Sequence, residues 1–120
     1  MPPIFRALNA DAAVRALLGA EPLRAWAFGL APQDVVKPYL VWQRAGGQPE
    51  NYINQRPDSD SATLQIDVYA ETGDQAREVA EAARYAIEGW AHVIADRGES
   101  RDPSTMNYRS SFDTDWIVNR

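Results

Sequence analysis

Residues 63–89, TLQIDVYAETGDQAREVAEAARYAIEG, carry two different periods in succession. From Thr63 to Tyr69 apolar and polar side chains alternate, with Leu64, Ile66 and Val68 on one side and Thr63, Gln65 and Asp67 on the other. That pattern predicts a strand with one face on a core and the other in water. After Tyr69 the period changes. Thr72 stands three residues before Gln75, the spacing of a capping box, and opens a helix predicted over 73–90. Its apolar stripe is Ala76, Val79, Ala80, Ala83, Ile87 and Trp90. Mostly alanine, the stripe lets a helix lie close against a sheet while the three larger residues supply bulk. The other side carries Arg77, Glu78, Glu81, Arg84 and Glu88 and reads as a solvated face.

Outward from this segment the chain continues in short elements. On the N-terminal side, residues 38–44 are rich in β-branched and aromatic residues and are closed by Gly46-Gly47, which predicts a strand begun at Pro38 and ended by a turn. Residues 24–28 predict a short strand ending at Gly29, and 4–18 an amphipathic helix that Asn9 or Asp11 can split and Gly19 stops. On the C-terminal side, 92–94 predicts a short strand and 106–118 a long one. In the long one Met106, Tyr108, Ser110, Phe112, Thr114, Trp116 and Val118 share one face, and Asn107, Arg109, Ser111, Asp113, Asp115 and Ile117 the other. The order predicts an α+β fold, a mainly antiparallel sheet with helices packed on one face and residues 63–69 and 106–118 at its centre. Residues 1–120 read as a single domain with long loops at about 46–62 and 96–105; no internal repeat or low-complexity tract interrupts it.

Composition narrows the function. The chain has no cysteine, which excludes disulfide scaffolds, Cys-rich zinc sites and thiol catalysis. Seventeen acidic residues against 12 basic ones give a net charge of −5, and the basic ones are scattered, so tight nucleic-acid binding by a monomer is not expected. Arg6, Asp11 and Arg15 interrupt the N-terminal apolar pattern, and no apolar run is long enough to span a bilayer, which points to a protein made and used in a cytoplasm.

Catalytic chemistry finds little to work with. His92 is the single histidine, and no serine lies in a nucleophile-elbow context. Asp67, Asp113 and Asp115 should share the polar sheet face, where paired carboxylates can perform acid/base or metal chemistry, but no further ligand completes a set and a solvated face carries acids anyway. Gly46-Gly47 lacks the Lys and Ser/Thr of a phosphate cradle. Trp26, Trp42, Trp90 and Trp116 have no basic residues interleaved and read as core or interface anchors. No catalytic residue, metal or cofactor is assigned. The polar stretch PENYINQRPDSD, 49–60, holds Tyr52, Ile53 and Arg56, types that anchor interfaces, among the polar Asn51, Asn54, Gln55, Asp58 and Asp60. It reads as an arm toward a neighbouring chain, since a flexible linker is more often Gly/Ser-rich.

The ordered set IFRALNADAAVRALLG, PYLVWQRAGGQPENYI, TLQIDVYAETGDQAREVAEAARYAIEG and YRSSFDTDWIV resembles the tail-completion, or tail-terminator, family of long-tailed bacteriophages and related gene-transfer particles over nearly the whole chain. The resemblance implies a structural virion protein without enzymatic activity. It implies a homo-oligomer, a hexameric ring on the head-proximal end of the tail tube, which stops tube polymerisation and meets the head-completion or connector protein. The tail tube protein is then a partner, DNA passes through the lumen without specific binding, no membrane is involved, and assembly takes place in the host cytoplasm. Asn51–Asp60 is then expected at a subunit or tube interface, and the face with Asp67, Arg109, Asp113 and Asp115 at the lumen or a subunit contact. Two other readings stay open: a head-side connector, and an enzyme using the carboxylate face on a small molecule.

Overall fold

The computed structural model describes residues 2–20, 22–49, 59–101 and 107–119. The elements run α1 (Ile4–Asn9), α2 (Ala12–Leu18), β1 (Ala25–Ala27), β2 (Tyr39–Pro49), β3 (Ser59–Ala70), α3 (Gly73–Glu88), β4 (His92–Arg101) and β5 (Tyr108–Asn119). The strands form one sheet in the order β1-β2-β3-β5-β4. Only β1 and β2 are parallel; the other three pairs are antiparallel. The fold is α+β with the expected central pair, β3 against β5.

Local chemistry explains the helices. Asp11 splits the first amphipathic segment by accepting the Val14 N–H at 3.0 Å as the N-cap of α2. Gly19 ends that helix at φ +85°, where a side chain would also meet the Arg24 guanidinium at 3.0 Å. For α3, Thr72 accepts the Gln75 N–H at 3.1 Å, and the Gln75 side chain reaches back to the Glu71 N–H at 3.3 Å. Such a cap stabilises a helix by about 1 kcal/mol.

The core lies between the helices and one face of the sheet. Leu64, Ile66 and Val68 of β3 are fully buried, flanked by Leu40 and Trp42 of β2 and by Phe112 and Trp116 of β5. Removing each such aliphatic side chain from water stabilises the fold by about 1.5–3 kcal/mol. Ala76, Val79, Ala80, Ala83, Ala86 and Ile87 form the buried stripe of α3, beside Ile4, Leu8, Val14 and Leu18 of α1 and α2. Thr114 stands on this same face with no exposure; its hydroxyl bonds the Leu64 carbonyl and accepts the Trp116 indole N–H. A buried hydroxyl is tolerated because both partners are supplied.

Three expectations are corrected. Gly46-Gly47 makes no turn: β2 runs through both glycines to Pro49, pairing Gly46 with Thr63 and Gly47 with Ala62 after a register shift between Arg44 and Gly46. Of the loop expected at 46–62, residues 46–49 and 59–62 are strand, and 50–58 lie outside the described residues. The loop expected at 96–105 is strand as far as Arg101, because β4 is an edge strand exposed along most of its length and needs no apolar alternation. Trp90 does not complete the α3 stripe. The helix stops at Glu88 with Gly89 as its C-cap, leaving Trp90 46% exposed while Ala86 and Ile87 cover the core.

Candidate functional site

The helices leave one face of the sheet uncovered, and strand register arranges its side chains in rows. One row reads Tyr39, Tyr69, Arg109, Ser100; the next reads Trp26, Val41, Asp67, Ser111, Gly98; a third reads Gln43, Gln65, Asp113, Ala95. Thr63, Asp115 and His92 form a fourth. Asp67, Arg109, Asp113 and Asp115 are thus brought together on the face expected for them. Asn51, Tyr52, Ile53, Asn54, Gln55, Arg56 and Asp58 lie outside the described residues. The backbone of Asp60 belongs to β3, in register with Pro49 and Val118.

The face is not evenly wetted. Asp67 is 6% exposed and Asp113 7%. Asp67 accepts hydrogen bonds from the Ser111 hydroxyl and from the Gln65 amide at 3.2 Å. Asp113 accepts from Arg97 Nε at 2.8 Å. The Asp113 hydrogen bond, then its charge, pushes the Arg97 pKa above its already high ordinary value, and Asp67 adds to the effect. The half-exposed Arg97 guanidinium thus pairs the buried Asp113, while the buried Asp67 is held by the neutral donors Ser111 and Gln65, so each buried carboxylate has its hydrogen-bond partners.

Arg97 reaches this position through irregularity. Register shifts in β4 between Val93 and Ala95 and between Asp96 and Gly98 break the two-residue period around it. Gly98 sits at φ +82° with open space where a side chain would be, so backbone conformation, not crowding, calls for glycine there.

At the other end of the face, Tyr39 stacks on Tyr69 with ring centres 5.1 Å apart, and Trp26 meets Tyr39 edge-on at 6.4 Å. Partial burial, followed by the neighbouring Tyr69, raises the Tyr39 phenol pKa. Half-buried tyrosine and tryptophan beside arginine are the residue types that anchor protein interfaces. Alternation along β3 and β5 points to the carboxylates, whereas Arg97 is hidden from it by the bulges, and the aromatic group by the pairing of three separate strands.

A second polar region lines the groove between α3 and β4, a cavity of about 310 Å³. Arg77 grips Glu99 through two hydrogen bonds of 3.0 Å, and Arg84 approaches Asp96 at 3.8 Å while lying over the Phe112 ring. The Arg77 hydrogen bond is the largest cause holding the Glu99 pKa below its ordinary value. This is a latch between helix and edge strand. Among the described residues, no group of three or more His, Cys, Asp or Glu is placed to hold a metal ion.

Comparison with known proteins adds three findings. The family model described as Tail completion protein gp17 matches residues 2–119. Among solved structures, a chain from "Virion of native gene transfer agent (GTA) particle" is similar in fold, with a TM-score of 0.72, 13% sequence identity, and coverage of 98% of this chain and 92% of that one. A comparison with curated protein sequences found no match.

Proposed function

Because this chain belongs to the Tail completion protein gp17 family, a family of virion structural proteins, we propose that it acts as a tail terminator. In this reading, copies assemble as a hexameric ring on the head-proximal end of the tail tube, stop its polymerisation and form the surface that the head-completion or connector protein meets. The chain is then an architectural part and not an enzyme, assembled in the host cytoplasm and retained in the virion. The observation that carries the reading is the extent of the family match, which takes in every helix and strand rather than one motif.

The structure supports it in physical terms. A closed ring of identical subunits needs two different complementary surfaces on each copy. The two-layer fold supplies unlike surfaces, one of helices and one of bare sheet. DNA that must pass through without delay favours a lumen that does not grip phosphate, and the net charge of −5 agrees with that. Residues 51–58 remain the proposed arm toward a neighbour or the tube, with Asp60 beside it in β3. The face with Asp67, Arg109, Asp113 and Asp115 is the proposed lumen or subunit surface.

The test is to mix the purified chain, carrying a small gold-binding tag, with tail tubes prepared from particles that lack it. The proposal expects label at one end of each tube and an arrest of further tube growth. Label along the whole tube, or growth that continues unchanged, rejects the terminator role.

A further inference from the structure

From the distribution of accessible charge we infer that copies of this chain join head to tail, the bare sheet face of one against the outer surface of α3 of the next. This rests on the ring reading above and specifies its contact. The two surfaces lie on opposite sides of the sandwich and differ in which charged groups reach solvent. On α3 the exposed acids are Asp74, Glu78, Glu81 and Glu88, while both arginines of that helix turn toward β4, Arg77 to Glu99 and Arg84 to Asp96. On this surface four exposed acids stand against two arginines, both of which are held in ion pairs with β4.

On the sheet face the order is inverted. Asp67 and Asp113 are buried beneath their donors, Asp115 is half-buried, and the accessible charges are the guanidinium groups of Arg97 and Arg109. A face that reads as acidic in sequence thus offers a partner two guanidinium groups, that of Arg109 and that of Arg97, the latter already paired with Asp113.

Two further features fit this contact. Covering the sheet face costs less desolvation than its composition suggests, because its two buried carboxylates already hold their hydrogen bonds within the chain. Tyr85, at 78% exposure, stands on the outer side of α3 among Glu81, Arg84 and Glu88. An exposed tyrosine ringed by charges is suited to anchor a contact, and the Trp26, Tyr39 and Tyr69 group opposite offers aromatic surface to receive it. Because the surfaces are unlike, the contact is heterologous, the kind from which a closed ring is built.

The test is a charge swap in particles whose own copy of the gene is deleted, read as the yield of joined head–tail particles. Arg109→Glu alone, and Glu78→Lys with Glu81→Lys and Glu88→Lys, should each lower the yield about tenfold or more, since like charges then face each other. Combining the two sets should restore most of it. Tyr85→Ala should lower the yield without moving the melting transition, which separates lost assembly from lost folding. The inference is overturned if the one-sided variants join heads and tails at the wild-type level, if the combined variant recovers nothing while folded, or if Tyr85→Ala is neutral. Normal joining in particles with no copy of the chain rejects the ring reading instead.

Discussion

At Asp67 a carboxylate lies on the helix-free side of a sheet and is nonetheless buried. It is tolerable because Ser111, directly opposite on β5, gives it a hydroxyl and Gln65 an amide. Replacing Ser111, itself 4% exposed, with alanine removes the donor but leaves the desolvated carboxylate. The expected cost is about 1–3 kcal/mol, measurable as a lower urea midpoint with an unchanged slope. An unchanged midpoint would mean that solvent replaces the hydroxyl freely. Alternation in β3 and β5 placed Asp67, Arg109, Asp113 and Asp115 on one face, because a strand's period is local. The burial of Asp113 was not legible, since it depends on Arg97 arriving from a strand that pairs with β5 alone.

Elements were legible where one face had to be buried. The β3 pattern, the Thr72 cap and the alanine stripe of α3 all follow from contact with a single core, and structure agrees with sequence there. Edges were different. With exposed residues along nearly all of β4, solvent imposes no alternation on it, and two bulges remove what period remains. The paired glycines of β2 were equally misleading, because an antiparallel ladder accepts them once a bulge has adjusted the register. Beyond its ladder with β5, β4 is fastened to α3 by a contact visible only in three dimensions, the Arg77 to Glu99 pair. That pair holds the Glu99 pKa below its unfolded value, so its stabilising effect is complete above the unfolded carboxyl pKa and is lost as pH falls through the folded one. Wild type should therefore melt slightly above Glu99→Gln near pH ~7, and the gap should close near pH ~3. The effect is small because solvent screens the pair. A gap independent of pH would show that packing, not charge, fastens the strand.

For the whole molecule, shape and charge follow from the division into two unlike sides. The molecule is elongated, with extents of 51 × 29 × 24 Å. One broad side is bare sheet tipped with arginine and the other is helix tipped with acid. A monomer gains nothing from such polarity, whereas a ring built head to tail uses both sides in every subunit. The α+β class and the family resemblance were legible in the sequence, because both rest on ordered local patterns. The polarity was not, since it required knowing which charges are buried and which stand free of the surface. The most direct measurement of the central claim is electron microscopy of particles assembled without this chain. A tail terminator leaves DNA-filled heads beside separate tails that are overlong or unable to join when it is missing, and restores joined particles when it is supplied. Normal, joined particles of normal tail length would contradict that role.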